Sequence, residues 1–194
     1  MAKKIGIISD THGLLRPEIL EILKTCDCIL HAGDVTRPEL LDELRCLASI
    51  YVVRGNNDGE WAAGIAKTLR FRIEGVEFFM THNKKDVAWE LGSTQVVIFG
   101  HTHSYFEKTI DGRLWLNPGS CGRSRFGQDI SMAVMTVENG TYQVDKIVFA
   151  DKLQTYIRKF KFIPFYWTFN MRYSLYRKDV RKICSEQIFG TLGP

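Results

Sequence analysis

The chain has no C-x-x-C pair, no apolar run of membrane-spanning length, no internal repeat and no low-complexity linker. Each absence removes a class of protein. Its five cysteines, Cys26, Cys28, Cys46, Cys121 and Cys184, are odd in number and irregular in spacing, which argues against a disulfide framework and suits a reducing cytoplasm. Lys3 and Lys4 resemble the start of a secretion signal, but only four residues separate Lys4 from Ser9, too few for its apolar segment. No stretch approaches the roughly 20 apolar residues that cross a bilayer. The expected setting is therefore cytoplasmic, with no membrane span.

What is present is an ordinary globular composition in 194 residues, enough for one domain with a sizeable core. The net charge of +4 is uneven: residues 151–194 carry nine Lys/Arg against three Asp/Glu, a net of +6, which leaves residues 1–150 at −2. Ten aromatic residues, among them Tyr156, Phe160, Trp167 and Tyr173, are interleaved with that basic charge. The segment is expected to be a helical extension packed on the body or in a homo-oligomer interface, since aromatics so dense need burying. Nucleic-acid binding through this tail is the competing reading.

Gly100-His101-Thr102-His103 directly follows the apolar run Gln95–Phe99, which reads as a buried strand giving way to a loop. The same layout recurs with Ile5–Ile8 before Ser9-Asp10-Thr11-His12, Ile29–His31 before Gly33-Asp34, Tyr51–Val53 before Gly55-Asn56-Asn57-Asp58, and Phe78–Met80 before Thr81-His82. Five apolar runs thus deliver Asp, Asn or His at one end, as when the strand ends of one sheet converge on a site.

The first third alternates strand and helix, with a helix opened by Pro17 and another by a capping box over Thr36–Glu39, predicting a parallel sheet. Beyond Trp61 come three hairpins, turning at Glu74-Gly75, Asp111-Gly112 and Asn139-Gly140. A short helix is expected over 86–91. Two sheets face to face with helices outside would accommodate both halves.

Asp10, His12, Asp34, Asn56, His82, His101 and His103 supply two carboxylates, one amide and four imidazoles, too many for one ordinary divalent ion and suited to two. The mixed O/N set favours Mn, Fe, Co or Zn over thiolate-bound zinc or all-oxygen calcium. Two divalent ions against Asp10 and Asp34 leave about +2, so an anion is attracted. In-line attack on a phosphate ester by hydroxide bridging the ions is the implied reaction. Single histidines at strand ends are mostly structural, and His31, within a strand, is read as buried. Asp58 is read as orienting a loop, and Cys121 as inert.

Asp10-Thr11-His12, Gly33-Asp34, Gly55-Asn56-Asn57-Asp58, Thr81-His82, Gly100-His101-Thr102-His103 and Asn117-Pro118-Gly119-Ser120 resemble the ordered motifs of calcineurin-like metallophosphoesterases, in particular the small YfcE-type phosphodiesterases. The resemblance spans residues 3–150 and implies a four-layer α/β/β/α sandwich over a domain of residues 1–150, followed by the extension 151–194. It also implies a dinuclear centre, with manganese foremost and Ni or Mg also possible. Asp10, His12 and His103 would hold one metal, Asn56, His82 and His101 the other, and Asp34 would bridge. Asp34 and Asn56 are thereby the expected catalytic residues.

Three departures stand out. Asn57 replaces the histidine that many members carry, and an amide cannot serve as a general acid. Lys84 stands where the family has a second imidazole, and Arg125 lies in a Ser-Arg rather than a Pro-Arg loop. Lys84, Arg125 and Arg54 are the expected phosphate contacts. The reading is a phosphodiesterase for a small phosphodiester. A binding or scaffold module without turnover, a nuclease that uses the tail, and a monoesterase are the alternatives.

Overall fold

In the structure, a computed structural model, the described residues are 1–123 and 127–149. The expected extension over 151–194 and Arg125 lie outside them. Strands β1 (Lys3–Ile8), β2 (Cys28–His31) and β3 (Ser49–Val52) run parallel, linked by helices α1 (Pro17–Leu23) and α2 (Pro38–Arg45). The hairpin β9 (Ile130–Glu138) and β10 (Thr141–Phe149) joins antiparallel to β1, completing the order β10-β9-β1-β2-β3.

The second sheet has the order β4-β5-β6-β8-β7, from β4 (Thr68–Ile73), β5 (Val76–Thr81), β6 (Val96–Ile98), β7 (Tyr105–Ile110) and β8 (Arg113–Pro118). Its central strands β5, β6 and β8 are parallel. All three hairpin turns have both central residues at positive φ: Glu74-Gly75, Asp111-Gly112 and Asn139-Gly140. That backbone matches the twist of the flanking strands.

Alternation along the strands builds the core. Ile5, Ile7, Leu30, Ala133 and Met135 from one sheet meet Val76, Phe78, Met80, Ile98 and Leu116 from the other, all buried. Tyr51 stacks on Phe71 at 4.3 Å between ring centroids, and Phe71 on Phe78 at 5.2 Å, tying β3 to the second sheet. The strand ends that carry the candidate ligands therefore belong to two sheets, not one. Among the described residues no helix is long and apolar enough to cross a membrane.

Both helices start on proline, whose fixed φ suits the first helical turn. Ile19, Leu20 and Leu23 of α1, and Leu40, Leu41 and Leu44 of α2, are buried, each worth about 2 kcal/mol. The expected capping box does not form. Arg37 is the N-cap, without a side-chain bond, while Thr36 sits at φ 64 because its N–H is held by Asp58 Oδ1 at 2.7 Å.

Nor does residue 86–91 form a helix. A 3-10 turn at Lys84–Asp86 is followed by extended chain, where the Arg70 guanidinium binds the carbonyls of Glu90 and Leu91.

Helix α1 rests on β1 at Gly6, where a Cβ would fall 2.5 Å from Leu23 Cδ2 and 3.3 Å from Cys26 Sγ. Gly6→Ala is expected to lower unfolding free energy by about 1–3 kcal/mol, read from urea melts.

Candidate metal centre

Asp10 follows β1, Asp34 follows β2, Asn56 follows β3, His82 follows β5 and His101 follows β6. These are C-terminal ends of parallel strands, the usual seat of ligands in such sheets. Five candidate ligands hold the left-handed backbone region: Asp10 (φ 53), His12 (φ 46), Asp34 (φ 58), His101 (φ 70) and His103 (φ 59). Non-glycine residues adopt it rarely and at a cost, so its recurrence at one cluster points to function.

The side chains meet. Asp10 Oδ1 lies 3.2 Å from His103 Nε2 and 4.0 Å from His12 Nε2, and those two imidazole nitrogens are 3.3 Å apart. Asp34 Oδ2 lies 3.4 Å from His82 Nε2 and 3.8 Å from His12 Nε2. Asn56 Oδ1 is 3.0 Å from His82 Nε2 and 2.9 Å from His101 Nδ1. All seven residues singled out in the sequence thus share one cluster. Asp10, His12 and His103 form one group able to hold a cation, and Asp10, Asp34 and His82 form another. Asp10 belongs to both groups, and Asp34 Oδ2 in the second also lies within 3.8 Å of His12 in the first.

The neighbours orient these donors. Asp10 Oδ2 accepts from Ser9 Oγ (2.7 Å) and from the His101 N–H (3.0 Å), whereas buried Oδ1 has no hydrogen-bond partner. His82 Nδ1 lies 2.7 Å from Ala32 O; donation to that carbonyl aims Nε2 at Asp34 and Asn56. A buried bare carboxylate oxygen is expensive. One that faces imidazole nitrogens fits a cation, and so does the donor chemistry of the whole set.

Burial pushes Asp34 toward protonation, but the His82 hydrogen bond, the Asn57 backbone and side-chain N–H groups and His82 charge outweigh it, holding the carboxyl well below the usual range. For His82 too, burial opposes the charge and is outweighed, by the Asp34 hydrogen bond and the Asp10 and Asp34 charges, so its pKa rises.

Asp58 holds the loops in place. Its carboxylate accepts from the backbone N–H groups of Asp34 (3.0 Å), Thr36 (2.7 Å) and Gly55 (2.8 Å). Asn117 Nδ2 donates to Gly100 O and Thr102 Oγ1, and Ser120 Oγ to Asp10 O. Gly100 is required by close approach: a Cβ there would lie 2.0 Å from Ser9 Oγ. The positioning roles of Ser9, Asn117 and Ser120 were missed in the sequence, although Asn117 and Ser120 stand in the motif that carried the resemblance.

His31 is buried, its Nδ1 accepting from the Gly33 N–H and its Nε2 3.0 Å from Thr11 Oγ1. Cys121 is also buried, and burial pushes its thiol up to about 12, so it is inert at neutral pH.

The expected phosphate contacts fare differently. Arg54 lines a cleft with Asn56, His82 and His101. Lys84 does not line it: its ammonium lies 4.8 Å from the ring centroid of Phe106, 5.1 Å from Trp115 and 5.6 Å from Phe99. Attraction to the ring faces holds it there. Lys67 lines the cleft instead, unmarked in the sequence because it belongs to no motif.

Residues 4–140 match the calcineurin-like phosphoesterase superfamily domain. The chain belongs to that superfamily. A probable metallophosphoesterase of Methanothermobacter thermautotrophicus is 35% identical over 131 residues, covering 60% of this chain and 76% of that protein. A solved archaeal phosphodiesterase is 30% identical with a TM-score of 0.64, over 75% of this chain and 99% of the other. Vps29 from Entamoeba histolytica, 22% identical with a TM-score of 0.60, covers 76% of this chain and 99% of its own, a likeness of fold. Family membership makes this chain a metal-dependent phosphoesterase and agrees with the expected sandwich.

Asp58→Ala strands three backbone N–H groups. It is expected to lower stability by about 3 kcal/mol, measured by urea unfolding. His31 gives a pH signature. Burial lowers its pKa from 6.5 to about 4 against the pull of Asp58 and Asp10, so the unfolded chain takes up its proton first. Its contribution is full above about pH 6.5 and most of about 3 kcal/mol is lost as pH falls to 4. Urea melts of metal-free protein and of His31→Gln should differ by that slope.

Proposed function

We propose that the chain is a phosphodiesterase that uses two divalent cations, manganese foremost, to hydrolyse a small phosphodiester in line. The observation that carries this reading is the pair of buried carboxylates set among two adjoining donor groups, with Asp10 Oδ1 bare and Asp34 Oδ2 between His12 and His82. Asp10, His12 and His103 would hold one cation. Asn56, His82 and His101 would hold the other, and Asp34 would bridge. When bound, such a pair supplies Lewis-acid polarisation of phosphoryl oxygens and a nucleophile from water at neutral pH.

The chain's own residues set the rest. Asn57 donates its backbone N–H to Asp34 Oδ1 (2.8 Å) and its side-chain amide to Oδ2 (2.6 Å). It fixes the carboxylate of Asp34 but has no proton to lend a leaving group. Esters with acidic leaving groups are therefore the better substrates. Asn56, placed by its contacts with His82 and His101, would fix the second cation against the substrate.

Asp34→Ala is expected to lower bound manganese, read by elemental analysis, and to cut hydrolysis of bis(p-nitrophenyl) phosphate by more than about 100-fold. Full activity in that variant, with metal-free wild type equally active, would overturn the assignment.

A further inference from the structure

A cleft of about 320 Å³ opens beside Asn56, His82 and His101, and three more charged side chains line it: Arg54, Lys67 and Asp86. The two cations stand at the two ends of the connection between the sheets, Arg54 just beyond β3 and Lys67 just before β4. A backbone bond from Arg54 N–H to Ala66 O, 2.9 Å, places them on adjoining chain. Among the described residues, no hydrogen bond or ion pair takes up either side chain.

Two cations and one carboxylate give this lining a net +1, next to a centre suited to phosphate. Cations with no partner among the described residues, set in a concave wall, raise the local potential for anions. The volume is at the small end for organic ligands and too small for a nucleic-acid duplex.

We propose that Arg54 and Lys67 form a subsite for a second phosphate group, so that the preferred substrate is a nucleotide-sized phosphodiester bearing a further phosphate. The inference rests on the phosphodiesterase reading for the ester that is cleaved, not for the cation pair. It also moves Arg54 from the scissile phosphate to its neighbour.

The test uses two esters that differ by one phosphate: thymidine 5′-(p-nitrophenyl phosphate) with and without a 3′-phosphate. With full-length manganese-loaded protein, the 3′-phosphate should raise kcat/KM about 10-fold, and Lys67→Ala or Arg54→Ala should reduce that ratio to below about 3. Lys67 is exposed, so its substitution leaves the core intact. Calorimetry with thymidine 3′,5′-bisphosphate and 5′-monophosphate should give the same preference without turnover, lost again in Lys67→Ala. A wild-type ratio near one in both assays, or a ratio that neither variant lowers, overturns the subsite and leaves the phosphodiesterase reading standing. Hydrolysis of neither ester, with the bisphosphate preference kept in wild type and lost in Lys67→Ala, overturns that reading and leaves the subsite.

Discussion

Two carboxylates, Asp10 and Asp34, are buried in one cluster, and most of the surrounding architecture compensates them. Burial of uncompensated charge costs several kcal/mol per group. Asp34 is covered by N–H donors from Asn57 and by His82, while one oxygen of Asp10 accepts two hydrogen bonds and the other accepts none. A cation bound there would relieve the deficit directly. Binding would then stabilise the folded state as well as serve chemistry, because an unfolded chain does not present these donors together.

The same cluster concentrates backbone strain. Five left-handed non-glycine residues, at about 1–3 kcal/mol each, persist only where neighbours fix them. Here the loops brace one another: the His12 N–H donates to Asp34 O, the Asp10 N–H to Gly33 O, and Asn117 holds the turn at Gly100. Asp58 reaches three N–H groups on two loops. The strain thus lies between well-packed strands and is held by buried polar groups, which gives the ligands little freedom before anything binds.

The strands, the hairpins and the convergence of the singled-out Asp, Asn and His side chains were legible in the sequence because each has a local signal: an apolar run, a two-residue turn, a polar residue just after a strand. What failed depended on distant partners. The Thr36 capping box has the right letters, but Asp58, 22 residues on, holds the Thr36 N–H and forces a left-handed backbone. The expected helix over 86–91 gives way because Arg70, on β4, binds carbonyls at Glu90 and Leu91. Nor does motif order reveal that the Lys84 ammonium lies over three aromatic rings from β6–β8 and their flanks. Assigning all five ligand-bearing runs to one sheet failed for the same reason. Nothing local in Phe78–Met80 says that its strand faces β1 across a core instead of pairing in the same sheet.

The division into two sheets brings donor side chains to one cluster from two sides. Asp10, Asp34 and Asn56 follow strands of the first sheet, His82 and His101 strands of the second, so the cluster spans the sandwich edge rather than one crevice. The packed core, including the Tyr51–Phe71–Phe78 stack, fixes the spacing between the halves. Interiors of native density resist sliding, so the sheets cannot separate without breaking that stack. A substitution in that stack would alter the gap between the His82 and Asp10 sides. The gap across the donor cluster is therefore set by the hydrophobic core, while the polar loops set only the direction in which each donor points.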